Sequence, residues 1–129
     1  MQLVLIELNE INFEYAKKYF DILKIDTIKN INKELIETES ENSDEMLEPW
    51  IQWHSIHTGC TAKDHGVFRL GDAINSKKIQ IFEELEANHL TVGSISAMNS
   101  INNLKNPSYF IPDPWTNTKS DDSFFSFFN

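Results

Sequence analysis

Apolar and polar positions along this chain follow two periods, and the changes of period mark its expected elements. Residues 2–8, QLVLIEL, are a near-continuous apolar run, which is the pattern of a strand buried on both faces. The polar turn NEIN follows. FEYAKKYFDILK then places Phe13, Ala16, Phe20 and Leu23 on one helical face, with Lys17, Lys18 and Asp21 opposite. Strand, short turn and amphipathic helix are the opening of an α/β fold. ELIETES, residues 34–40, alternates and predicts a second, shorter strand, and ENSDEM reads as a polar loop.

The second half continues in the same manner. The spacing predicts a helix over residues 50–57, with Pro49 suited to its first turn. KIQIFEELEANHL predicts a helix whose buried stripe is Ile79, Phe82, Leu85 and Ala87. TVGSISA and SYFIPD read as strands, the second ending at Pro112 and Pro114. No repeat or linker divides the sequence. The expected fold class is α/β, a mostly parallel sheet flanked by helices, in one domain over residues 1–129.

Composition narrows the function. The 129 residues are 40% hydrophobic and 24% charged, as in ordinary soluble globular domains. A net charge of −9 argues against a nucleic-acid surface, which needs clustered Lys and Arg, and against an anionic membrane surface. Cys60 is the only cysteine, so an internal disulfide is impossible. With no signal-like leader and no apolar run of membrane-spanning length, the expected compartment is the cytoplasm.

The C-terminal WTNTKSDDSFFSFFN places Phe124, Phe125, Phe127 and Phe128 after a helix-start signal at Asp121, Asp122 and Ser123. An apolar end with no element after it is expected to pack on further chain or on a partner subunit. The alternative is that the phenylalanines fold back onto the core.

The chemistry concentrates in EPWIQWHSIHTGCTAKDHGVFRLGD, residues 48–72, with three of the four histidines, the cysteine and three of the four glycines. Ser55, Thr58, Thr61 and Cys60 are potential nucleophiles and His54, His57 and His65 potential bases, an inventory that is weak without geometry. Gly59 and Gly66 fall where a backbone must turn tightly. Trp50 and Trp53 could stack on a sugar or base, although aromatic residues at helical spacing more often belong to a core.

The spacing SIHTG, five residues, then HG resembles the S-x-x-T-G-x5-H-G block of the alkaline phosphatase superfamily. The likeness is to its phosphodiesterase/nucleotide pyrophosphatase branch and to the sulfatases. It covers roughly residues 2–100 and implies the N-terminal part of an alkaline-phosphatase-like domain. Its implied activity is two-metal hydrolysis or transfer of phosphate or sulfate esters, with Zn²⁺ or Mn²⁺ held by Asp and His in the complete site.

The resemblance also assigns residues. A metal ligand is expected at the end of the first strand, which here is Asn9 beside Glu10; the same NEIN could instead cap the following helix, with Asn9 as N-cap and Asn12 as its N3 residue. The nucleophile position, nine residues before Thr58, is Pro49, so the neighbouring carboxylate of Glu48 is the catalytic candidate. Arg69 is the expected anion-binding residue, with Trp50 and His65 at the substrate side; the competing reading of Arg69 is a salt-bridged surface residue. Ser55 and Thr58 read as packing and capping residues, and Cys60 as structural. No histidine follows residue 100, so the implied two-metal site is incomplete within this sequence and the isolated chain is expected to be inactive. Two other classes compete with the enzyme reading: a degenerate scaffold that binds a glycan, an anionic ligand or a partner protein, and a small α/β protein that dimerises through SFFSFF.

Overall fold

Asn12 starts the first helix. Its side-chain oxygen accepts the backbone N–H groups of Glu14 and Tyr15 at 3.0 and 3.1 Å, satisfying donors that a helix N-terminus leaves open. In a computed structural model of the chain, residues 3–25, 36, 38 and 43–121 are described, and the chain divides into two units, Met1–Glu39 and Ser40–Asn129. Helix α1, Phe13–Leu23, belongs to the first unit and ends at Lys24 in the left-handed conformation. The Ile25 N–H closes back on the Phe20 carbonyl at 2.9 Å, a common helix stop. The cap is therefore Asn12 and not Asn9, which lies in the preceding turn with Glu10.

Two expectations for this unit are corrected. Residues 3–8 are not in a strand, and Leu3, Val4, Leu5, Ile6 and Leu8 are exposed. A strand exists only through hydrogen bonds to a neighbour, and the described residues of this unit contain no second strand. The stripe of α1 is present in spacing but not in burial: Ala16 and Phe20 are half-buried, whereas Phe13 and Leu23 are exposed. Of residues 34–40 only Ile36 and Thr38 are described, neither in a strand. The other residues of that expected strand lie outside the described residues, as do Asp122, Ser123 and the four C-terminal phenylalanines.

The second unit opens with a 3-10 turn, Asp44–Met46, and helix α2, Pro49–Thr58. Proline at the first helical position loses no hydrogen bond there, and Gly59 ends the helix at φ 63°. Helix α3, Ala62–His65, follows at once, started by Thr61 and ended by Gly66 at φ 70°. A second 3-10 turn, Asp72–Asn75, leads to helix α4, Ile81–Ala87, and strands β1, Gly93–Ile95, and β2, Tyr109–Ile111. The strands pair in parallel, Gly93 opposite Tyr109 and Ile95 opposite Ile111, joined by the long connection that parallel pairing requires. The class is mixed α/β.

Helix α4 is shorter than its pattern predicts because Gln80 is its N-cap. The Gln80 N–H donates to Glu83 at 2.8 Å, while its buried side-chain amide makes a two-way bond to the backbone of Ile101, at 2.9 and 3.0 Å. Ile79 thus precedes the helix and is exposed, as is Ala87, which corrects half of the expected stripe. Phe82 is buried and Leu85 packs beside it, with Val92, Ala97 and Leu104. The Phe82 ring meets Phe110 edge-on, with centroids 6.4 Å apart, so the core lies where α4 meets the two strands.

Candidate functional site

The S-x-x-T-G-x5-H-G block has a structural explanation in its own hydrogen bonds. The Ser55 hydroxyl on α2 lies 2.9 Å from His65 Nε2 on α3; Gly59 ends α2 in the left-handed conformation and turns the chain into α3, which Gly66 ends in the same way. Thr58 Oγ1 donates to the His54 carbonyl one turn back, at 2.7 Å. His65 Nδ1 accepts the Val67 backbone N–H at 3.0 Å, so the neutral ring carries its proton on Nε2. His65 therefore donates to Ser55 and is not arranged to take the serine proton. The pair latches α2 to α3, and the fixed interval from Ser55 to His65 is the length of that latch.

His54, one residue earlier on α2, is fully buried. Its Nδ1 lies 3.0 Å from the Asn99 carbonyl, and a carbonyl only accepts, so Nδ1 carries the proton. Nε2 is a buried acceptor with no hydrogen-bond partner. Its ring meets the His65 ring edge-on at 4.9 Å. Burial lowers the His54 pKa from 6.5 to about 4; the Asn99 hydrogen bond opposes the shift, and the neighbouring His65 and His57 reinforce it. Removing the cation from water outweighs the single favourable bond, and the imidazole is neutral at pH 7.

Asn99 is the centre of the arrangement. It is fully buried and sits at φ 53°, a left-handed conformation that asparagine tolerates better than most residues. Its side-chain oxygen accepts the Gly71 N–H at 2.9 Å, and its amide donates to the carbonyls of Trp50 at 3.0 Å and Arg69 at 3.2 Å. Its own N–H donates to the buried carboxylate of Asp113. Asp113 also accepts from Trp115 N–H at 2.9 Å, Thr116 N–H at 2.7 Å and Thr116 Oγ1 at 3.0 Å. One asparagine thus clasps the first turn of α2, the loop at 69–71 and, through Asp113, the turn at 115–116. Close approach at Gly71 completes the clasp: at φ 84°, a Cβ there would stand 2.9 Å from the Trp115 carbonyl oxygen.

This clasp gathers several residues singled out from the sequence. Trp50 is half-buried, and its indole N–H donates to the Phe68 carbonyl at 3.2 Å. Arg69 is exposed on the loop so held. Glu48 is exposed at the N-cap of α2 and makes no side-chain cap bond; its carbonyl accepts the N–H groups of Ile51 and Gln52 at 2.9 and 3.1 Å. Pro49 begins the helix, so the position matching the nucleophile carries no reactive group. His65 is buried with both ring nitrogens engaged, which assigns it to the scaffold instead of the substrate side. Cys60 is half-buried, and its thiol donates to the Thr58 carbonyl at 3.5 Å.

Asn9 and Glu10 lie in the first unit, Glu10 at φ 54°. They supply one neutral amide and one carboxylate, short of a donor set for Zn²⁺ or Mn²⁺. Among the described residues no group of three or more His, Cys, Asp or Glu side chains is placed to hold a metal ion. The two-metal centre implied by the resemblance does not fit these residues.

Asn99, Asp113 and Trp115 are the site residues that sequence reasoning missed, and His54, read from the sequence only as a potential base, is a buried neutral partner of the Asn99 carbonyl. A long-range clasp leaves no periodic signal in the sequence. Among the described residues no helix is long and apolar enough to cross a membrane. No protein-family model, no curated protein and no solved structure matches this chain.

Proposed function

We propose that this chain is the N-terminal, anion-binding part of an alkaline-phosphatase-like hydrolase or transferase of phosphate or sulfate esters, incomplete in its catalytic centre. The observation that carries the reading is the Asn99 clasp. It holds Arg69 beside the first turn of α2, which carries Trp50, and the resemblance expects both residues to meet a substrate. An arginine fork suits tetrahedral oxyanions, and a backbone held by buried hydrogen bonds keeps such a group in place without further ordering. The Ser55–His65 latch supports the same reading, because it explains the motif spacing as the architecture beneath a site.

A second reading, a scaffold that binds an anion or glycan without turning it over, is favoured by Pro49 at the nucleophile position. Glu48 separates the two. In a catalytic relative Glu48→Gln abolishes ester cleavage, whereas in a scaffold it leaves ligand affinity unchanged or improved. Either way Arg69 grips the anion. Calorimetric titration with inorganic phosphate and sulfate is expected to show Arg69→Ala binding about tenfold or more weakly than the parent, with Arg69→Lys between them. Equal affinity in all three proteins would refute the assignment.

A further inference from the structure

The β1–β2 sheet has one covered face and one open face. Successive side chains of a strand alternate between faces. Ser94 and Phe110, both buried, therefore share one face, where Phe110 meets Phe82 of α4. Gly93, Ile95, Tyr109 and Ile111 share the other. The Tyr109 ring lies across Gly93 on that side, since a Cβ on the glycine would stand 2.3 Å from it. Ile95 is 65% and Tyr109 39% exposed there, and Ile111 is half-buried. Parallel sheets are normally covered on both faces, and an apolar face left in water forgoes the stabilisation of burial.

The chain itself arrives at the border of this face. The Asp121 N–H donates to the Phe110 carbonyl at 3.1 Å, and the Asp121 carboxylate accepts the Phe110 N–H. Both bonds lie on the edge of β2 away from β1, because the next carbonyl, that of Ile111, serves β1 through the Ser96 N–H at 2.8 Å. The approach is tied down as well: the Asn102 N–H donates to Thr118 Oγ1 at 2.9 Å and its side-chain amide to the Lys119 carbonyl at 3.0 Å. Asp121 thus blocks that edge to a further strand and fixes the point from which DSFFSFFN, residues 122–129, departs.

We propose that the open face of the β1–β2 sheet is a docking surface for this chain's own phenylalanines at 124–128, packed against Ile95, Tyr109 and Ile111. The reach is sufficient. Strands lie about 4.8 Å apart, so Ile95 on β1 is about 10 Å from the edge where Asp121 sits. At about 3.4 Å per extended residue, Phe124 spans that distance and the later phenylalanines exceed it. Rings suit the face, because a tyrosine held flat over a glycine offers them an aromatic partner. A short tether keeps the segment at an effective concentration of about millimolar, whereas a net charge of −9 sets separate copies of the chain against one another. The anchored segment of the same chain is therefore favoured over a second copy. This proposal is independent of the anion reading.

The test is NMR of the full chain with its isoleucine δ1 methyl groups labelled. The Ile95 and Ile111 methyls are expected to show nuclear Overhauser contacts to phenylalanine rings. Replacing Phe124, Phe125, Phe127 and Phe128 together by serine removes those contacts and shifts both methyl resonances. The methyl of Ile51, buried in the core, keeps its position and reports that the variant is folded. Ile95→Ser approaches the same contact from the face, at an exposed position: it moves the tail ring resonances toward those of free phenylalanine. If no ring contact of Ile95 or Ile111 depends on the tail phenylalanines, or if Ile95→Ser leaves the tail resonances unmoved, the proposal is overturned. Contacts between labelled and unlabelled copies in a mixed sample, lost on tenfold dilution, assign the face to a second copy and overturn it as well.

Discussion

Asn99→Ala is expected to lower the stability of the second unit by about 3–5 kcal/mol. The substitution deletes three hydrogen bonds at once, to Gly71, Trp50 and Arg69. It leaves one donor and two acceptors of the backbone without that partner, beside a side-chain position that is itself fully buried. It also puts a Cβ without a polar side chain at φ 53°, which adds roughly 1 kcal/mol. Asn99→Gly separates the terms: it relieves the backbone strain and keeps the loss of hydrogen bonds, so it should be the milder change by about that amount. Urea denaturation of the three proteins measures both steps. Because a domain of this size is stable by only some 5–15 kcal/mol, the alanine variant is expected to be partly unfolded at 37 °C. A loss below about 1 kcal/mol in both variants would show that the clasp is not structural.

The second large effect is acid destabilisation through His54. Its folded pKa lies near 4, against 6.5 for the ordinary side chain. In the unfolded chain it takes up a proton as pH falls through 6.5, while in the folded chain it stays neutral until about pH 4. Across that window the unfolded state binds more protons, so stability decreases as pH falls, and the contribution is lost once both forms are protonated. With allowance for partial solvent relaxation around the ring, the loss is on the order of 2–3 kcal/mol. The carboxyls of Asp64 and Glu86 do not obscure it. The Thr61 hydroxyl holds Asp64 below the usual carboxylate range, and the N–H groups of Lys105 and Asn106 do the same for Glu86. Their contributions begin to fall as pH enters the ordinary carboxylate range, at about pH 5 and below, so the slope between pH 7 and about pH 5 belongs to His54. His54→Asn keeps a donor in reach of the Asn99 carbonyl and removes the titrating ring. Urea midpoints from pH 7 to pH 4 should therefore fall steeply for the parent and less steeply for this variant. Parallel slopes would exclude His54 as the source.

What the sequence disclosed and what it hid follow from the range of the interactions. Helix α2 was legible because its start and stop are local: Pro49 at the first turn and Gly59 at a left-handed end. The interval from Ser55 to His65 was legible as a pattern, and only the geometry explained it as a hydrogen-bonded latch. Gln80 misled the reading of α4, because its side chain serves the backbone of Ile101, twenty-one residues away, and converts a helix-like position into a cap. Residues 3–8 have the composition of a buried strand, yet composition cannot supply the neighbouring strand that pairing requires. Asn99 and Asp113 were invisible for the same reason in reverse. Their partners are other backbones, and a backbone N–H or C=O has no signature in the sequence.

In this geometry the block from Ser55 to Gly66 is a hydrogen-bonded latch between α2 and α3 and not a nucleophile with its base. The most direct test is the tautomer of each histidine, read from long-range nitrogen–proton correlations at pH 7. The geometry requires His65 to be neutral with its proton on Nε2 and His54 to be neutral with its proton on Nδ1. A His65 ring protonated on Nδ1, with Nε2 free to accept from Ser55, would contradict it and restore Ser55 and His65 as a nucleophile and its base.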